Sequence, residues 1–225
     1  MTTRFNPQSA TRSSARPLDL MTYIRGVGQE QNYSWIKHEP SVQKRLDLAR
    51  ACIEKDRFNQ MHTILTPLIK QSNPEALFLS ANISRPRETS EQFERRHLEF
   101  IQQSAGAEYP PTLYTLGFYY DMGDAVPVIP HDRLKAAQIF KRGAELKHAH
   151  CQHLHATALL YGAHGIEKDV AAGMAYLRES AKAKFEGSLK LLAEYYEKGE
   201  FGLPVDPQKA ASLRAEAESD DVIGY

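Results

Sequence analysis

The chain has 225 residues and no net charge, because 28 lysines and arginines meet 28 aspartates and glutamates. Attachment to a phosphate backbone draws on a basic excess, so this balance argues against a nucleic-acid partner. No run of 18 apolar residues occurs, which gives no candidate for a membrane-crossing helix. The N-terminal stretch MTTRFNPQSATRSSARP lacks the apolar segment of a secretory signal. It is rich in Arg and Ser and free of acid, as transit peptides are, but a flexible arm over residues 1–17 is the plainer reading. Only two cysteines are present, Cys52 and Cys151, 99 residues apart, so no disulfide framework is implied. Free thiols without an export signal favour the cytoplasm. Signature motifs are scarce as well. The GVG at 26–28 has no Gly-Lys-Ser/Thr after it, and neither Gly-x-Ser-x-Gly nor His-Glu-x-x-His occurs.

What the chain does have is self-similarity. TLYTLGFYYDMGD at 112–124 returns as SLKLLAEYYEKGE at 188–200, and seven of the thirteen positions keep their residue or its chemistry. Between them CQHLHATALLYGA, 151–163, is a degenerate copy. Asp132, Asp169 and Asp206 fall 37 residues apart each time, with Ala136, Gly173 and Ala210 at one common offset behind them. Each unit reads as two helices. The first, helix A, has small or apolar residues at offsets 0, 4, 5 and 8, one helical face. Gly123, Gly162 or Gly199 then supplies a left-handed stop. A loop leads to the Asp, which caps helix B, and Pro207 suits the first helical position of the last copy. One such pair cannot bury its apolar face alone, whereas stacked pairs can.

These residues resemble the Sel1-like repeat family, longer relatives of tetratricopeptide repeats. The matching pattern is Thr112, Leu116–Gly117, Tyr120, Gly123, Asp132, Lys135–Ala136 and Gly143–Ala144, and again Ser188, Leu192, Tyr196, Gly199, Asp206 and Lys209–Ala210. The middle copy departs from it, with His155 for Leu, Leu159 for Tyr and Gly173 for Ala. The resemblance covers about residues 109–219 and implies an all-α, right-handed superhelical solenoid of four to five helix-turn-helix repeats. Upstream, Asn73-Pro74 signals a helix start and Glu91 to Ala105 a second helix, in a copy that has lost its loop glycine. Leu48, Ala49, Cys52, Phe58, Met61, Leu65 and Leu68 follow the spacing of a tetratricopeptide pair. The expected organisation is an arm at 1–17, a helical cap at 18–72 with a docked segment holding Trp35, a repeat array at 73–219 and a tail at 220–225.

Two constellations point toward metals. KHAHCQHLHA packs His148, His150, Cys151, His153 and His155 into eight residues, all of them zinc-ligand types. Against that, Cys151 holds the repeat's small buried position and His155 its Leu position, which reads as packing in a degenerate copy. Glu94 to His97 has Glu-x-x-His spacing but no second copy to pair with. Neither cluster gives an assigned metal, cofactor or catalytic residue.

Helix A lines the concave face in such solenoids, as the resemblance implies. Offsets 2 and 6, counted from Ala76, Thr112, Cys151 and Ser188, are neighbours pointing off the packing face. They read Phe78/Asn82, Tyr114/Phe118, His153/Thr157 and Lys190/Glu194, with Asp121 at offset 9 of the second. The expected partner-binding residues are therefore Phe78, Asn82, Tyr114, Phe118, Asp121, His153, Lys190 and Glu194. The aromatic pair would anchor and the charges would select. The expected function is a non-catalytic protein-binding scaffold without a cofactor. The resemblance extends to adaptors and, in bacteria, to immunity partners of secreted toxins. The competing readings are a metal-dependent or hydrolytic enzyme on the His148–His155 cluster, and a self-associating structural subunit.

Overall fold

The computed structural model describes residues 35–123, 129–219 and 222–224. Residues 1–34, which include the expected arm and the GVG, lie outside the described residues, as do 220, 221 and 225 of the tail. Ten helices occur among the described residues: α1 (Pro40–Glu54), α2 (Phe58–Lys70), α3 (Pro74–Ala81), α4 (Ser90–Gly106), α5 (Pro110–Met122), α6 (Arg133–Glu145), α7 (Ala149–Tyr161), α8 (Val170–Lys182), α9 (Glu186–Lys198) and α10 (Pro207–Ala217). They form five antiparallel hairpins, α1/α2 to α9/α10, and each hairpin packs on the next. The fold is an all-α repeat solenoid, and its hairpin count is at the upper end of the expected four to five.

The local signals act where the sequence places them. Asp132, Asp169 and Asp206 each accept a 2.9 Å bond from the backbone N–H three residues on, that of Lys135, Ala172 or Lys209. Each Asp also donates its own N–H back to helix A: to Tyr120 O at 2.8 Å, Leu159 O at 2.9 Å and Tyr196 O at 2.8 Å. The hairpin is thus clamped at its turn by two bonds of one residue. Gly123, Gly162 and Gly199 end their helices with φ of 67°, 65° and 68°. At Gly117 a Cβ would meet the Phe140 ring at 2.5 Å, so the close approach of α5 and α6 requires glycine there.

Buried hydroxyls tie two of the hairpins to the one before them. Ser180 Oγ donates to Ala149 O at 2.8 Å and Ser188 Oγ donates to Ser180 Oγ at 2.7 Å. Two units earlier Ser104 Oγ donates to Pro74 O at 2.7 Å, with Thr112 Oγ1 3.2 Å from it. The intervening unit has Gly143 and Cys151 at these places, and the sulfur sits directly against Gly143. A polar relay is replaced by sulfur packing, and Cys151 is the small buried residue expected from the repeat. Trp35 packs on the core edge-on to Tyr109 at 6.0 Å. The core runs in two clusters joined through Tyr176, which packs on both.

Candidate functional site

The A-helix face is not arranged as expected. Phe78 and Tyr114 are buried, at 0% and 2% exposure, and Asn82 is buried with its Nδ2 donating to Phe78 O at 2.7 Å. The exposed aromatic pair expected in the groove is therefore corrected for Tyr114, and the exposure expected of Phe78 and Asn82 is corrected with it. The physical reason recurs in three successive units. The offset-2 side chain packs on the residue that precedes the next A helix. Phe78 lies 5.7 Å from Tyr109, Tyr114 lies 5.8 Å from His148, and His153 lies 5.2 Å from Phe185. Offset 2 is a seam between units rather than a free surface. Lys190, in the last hairpin, has no following unit and is exposed, pairing with Glu186.

The aromatic seam residues Tyr109, His148 and Phe185 were missed by sequence reasoning. Their signal was available: each stands just before a helix where a Ser or Asp cap is the usual choice, and none makes a side-chain cap bond. They give up capping for inter-unit packing.

Offset 6 is closed at Asn82 but stays open from α5 onward. Phe118, Thr157 and Glu194 are half-buried in three successive units, and Asp121 beside Phe118 is half-buried too. Asp121 approaches Arg133 at 3.9 Å, and both line a cavity of about 70 Å³ that also receives His155, Thr157 and His164. At the C-terminal end the charges are paired within the chain: Lys198 with Glu194, and Arg214 with Glu197. The charged end of the face is self-neutralised.

The histidine cluster separates into distinct surroundings. His148 Nδ1 lies 3.3 Å from Cys151 Sγ, and its ring stacks on His150 at 5.2 Å. His150 Nε2 donates to Gly224 O at 3.3 Å. His153 Nδ1 donates to Ser188 Oγ at 2.9 Å, since that hydroxyl spends its proton on Ser180. His155 stands edge-on to Tyr176 at 5.0 Å. Burial is the first cause of every shift: it holds His148 well below its usual value, His150 near 3 and His153 near 4, so all three are neutral at pH 7. Among the described residues no group of three His, Cys, Asp or Glu side chains is placed to hold one metal ion.

The Glu-x-x-His histidine is likewise engaged in packing. His97 Nδ1 lies 3.0 Å from the Ala81 carbonyl, which can only accept, so Nδ1 carries the proton. Neutral Nε2 then accepts from the Tyr119 hydroxyl at 2.6 Å, and burial raises that hydroxyl's pKa to about 12.

Comparison with known proteins agrees with this construction. Sel1 repeats match residues 110–148, 149–185 and 188–213. No curated protein matches the chain. Among solved structures, the Sel1 repeat protein from Oxalobacter formigenes aligns with a TM-score of 0.53 at 17% identity, over 88% of this chain and 97% of that one. The protective antigen c5321 of uropathogenic Escherichia coli, which displays an SLR fold, aligns with a TM-score of 0.55 at 18% identity, over 68% of this chain and 32% of that one. At these identities the likeness concerns the fold alone. Sel1 repeat proteins generally serve as non-catalytic protein-interaction scaffolds. No helix among the described residues is long and apolar enough to cross a membrane. Residues 110–213 thus carry three Sel1 repeats, set within an all-α repeat solenoid.

Proposed function

We propose that the chain is a non-catalytic scaffold that captures a partner protein along the ledge of open offset-6 positions. The observation that carries this reading is the recurrence of half-open Phe118, Thr157 and Glu194 in three consecutive units. Phe118 supplies an aromatic anchor, with Asp121 and the Asp121–Arg133 pair beside it for selection. A solenoid core that is rigid before binding loses little conformational entropy in the complex. The ledge spans three repeats, a size suited to one partner. That favours an immunity or effector-adaptor role toward a toxin, effector or secretion component.

Phe118→Asp tests this reading. A partner isolated with the wild-type chain in 1:1 stoichiometry by native mass spectrometry is expected to bind the variant at least 30-fold more weakly, by roughly 2 kcal/mol or more, as truncated anchors do. Circular dichroism monitors the fold. Equal affinity for the two proteins would remove the ledge from the interface.

A further inference from the structure

A groove opens between α2 and α4, the B helices of the first two hairpins, which are not a closely packed pair. Its volume is about 590 Å³. One wall is α2, where Asn59, Thr63, Thr66 and Lys70 recur at spacings of four, three and four, a single helical stripe. The other wall is the loop after α3, with Arg85 and Pro86, and the less accessible Ile69 and Phe100 form its base. His62 holds the walls together: its Nε2 donates to Ser84 O at 3.1 Å, and its Nδ1 lies 3.4 Å from Ser80 Oγ. Asn59, Thr63, Thr66, Lys70, Arg85 and Pro86 are all exposed.

The charge on this groove has one sign. Lys70 and Arg85 are its charged residues, since burial holds His62 below its ordinary 6.5, and no carboxylate lines it. Among the described residues neither cation is in an ion pair. Glu88, close to Arg85 in the chain, is engaged by Arg96 and takes only the backbone N–H of Arg85, at 2.8 Å. The Arg85 guanidinium lies instead over the Phe100 ring, 5.5 Å from its centroid, which settles it above the base of the groove. Burial and then the like charge of Arg96 lower the Arg85 pKa, with Glu88 opposing, so an anion set beside the guanidinium would relieve both. Cavities further along the solenoid are lined by both signs: Asp121 with Arg133, Glu167 with Lys168, Glu197 with Arg214.

We propose that this groove docks an acidic, extended segment of the partner protein, with carboxylates on Arg85 and Lys70 and an aliphatic side chain on Ile69 and Pro86. The proposal rests on the scaffold reading and adds a second contact surface to it, on other helices than the ledge. Charge complementarity selects the acid, and the guanidinium offers a carboxylate two parallel donors. The hydroxyls select a peptide over a lone anion. Thr63 Oγ1 donates to Asn59 O at 3.0 Å and Thr66 Oγ1 to His62 O at 2.7 Å, so both oxygens are left to accept from amide N–H groups. From Asn59 to Lys70 the stripe is about 16 Å long, the reach of about five extended residues. Two cations are too few for a nucleic-acid backbone, where affinity grows with each phosphate neutralised.

The test uses the full-length chain and a fluorescent eight-residue peptide, all glutamate except for leucine at its third and sixth places. By anisotropy at low ionic strength the wild-type chain is expected to bind it saturably, one peptide per chain. Arg85→Gln and Lys70→Gln are each expected to weaken binding about fivefold or more, and the double variant about twentyfold or more, with circular dichroism unchanged. Lys44→Gln makes the same charge change at an exposed residue of α1 outside the groove and is expected to bind as wild type does. A peptide with glutamine for every glutamate is expected not to bind, and one with serine for both leucines to bind about threefold more weakly. A thymidylate octamer is expected to bind more weakly than the peptide. No binding of the acidic peptide, an equal loss from Lys44→Gln and Arg85→Gln, or a tighter hold on the thymidylate octamer overturns the proposal. None of these results touches the Phe118 ledge, whose own failure is read from Phe118→Asp with the intact partner.

Discussion

Two kinds of helix ending divide this solenoid. In α5, α7 and α9 a left-handed glycine turns the chain, and the following Asp fastens the loop. The second A helix, α3, has eight residues and ends at Asn82 in right-handed geometry, without a glycine. Its last carbonyls are satisfied by side chains from the next helix. Arg96 donates to Ser80 O at 2.6 Å and Ile83 O at 3.0 Å, and His97 donates to Ala81 O at 3.0 Å. Glu88 completes the arrangement by accepting from Arg96 Nε at 2.6 Å and Nη2 at 2.8 Å. A helix end needs its carbonyls satisfied, and among α3, α5, α7 and α9 that need is met once with tertiary side chains and three times with backbone conformation. The backbone solution repeats because it needs only local sequence. The side-chain solution is unique and ties α3 to α4 through a buried charge.

That contrast is broken most forcefully at Arg96. Arg96→Ala leaves Glu88 without its charged partner and the Ser80 and Ile83 carbonyls without their side-chain donor. Removing one member of a buried pair costs about 3–5 kcal/mol. Chemical denaturation is expected to show a loss of that size, with hydrogen exchange placing the opening in α3 and α4 first. A loss below about 1 kcal/mol would mean that the α3 end needs no tertiary support.

Acid should separate the two regions by pH. The Arg96 contact holds the Glu88 carboxyl near 2, below its usual 4.5. A depressed carboxylate contributes stability above its unfolded value, so the α3/α4 contribution fades only as pH falls from about 4.5 toward 2. His148, His150 and His153 behave differently. They are held neutral by burial, against an unfolded value of 6.5. The unfolded chain takes up protons first, so their stabilisation is complete above pH 6.5 and is lost as pH falls below it. At about 1.4 kcal/mol per histidine per pH unit, the three remove up to about 4 kcal/mol between pH 7.5 and 5.5. Hydrogen exchange at pH 5.5 is expected to accelerate most around α7 and α9, and less in α3 and α4, where burial lowers the pKa of His97 alone. Uniform acceleration would show that the cluster does not titrate as a buried unit.

The glycine-ended units were legible in the sequence because their signals are local. Asp132, Asp169 and Asp206 cap at the expected residue, and Gly123, Gly162 and Gly199 turn where expected. The Asn73-Pro74 helix start is equally local, with Asn73 Oδ1 accepting from Ala76 N at 2.9 Å. What depends on the neighbouring unit was not legible. Offset 2 of helix A lies off the face that packs within its own hairpin, so periodicity marked Phe78 and Tyr114 as free. Stacking then delivered Tyr109 and His148 onto them. Arg96 gave no signal at all, because its acceptors, Ser80 in α3 and Ile83 just beyond it, lie 16 and 13 residues away.

The smallest effect sharpens the comparison from the glycine side. At Gly162, φ 65°, a Cβ would stand 3.2 Å from Lys168 Cβ, a contact that a small shift relieves. Gly162→Ala should therefore cost only the left-handed penalty, about 1–2 kcal/mol. At Gly123 the added Cβ would stand 2.9 Å from His131 Cβ, with backbone close behind, so Gly123→Ala should cost more. Asn82→Gly installs the missing glycine in the side-chain-ended unit. It should gain nothing, because φ there is −91° and the Asn82 Nδ2 bond to Phe78 O is lost. Thermal denaturation of the three variants is expected to rank Gly123→Ala below Gly162→Ala, with Asn82→Gly below wild type. A stabilised Asn82→Gly would mean that α3 can adopt the glycine ending, and that Arg96 supplements a turn available to every unit.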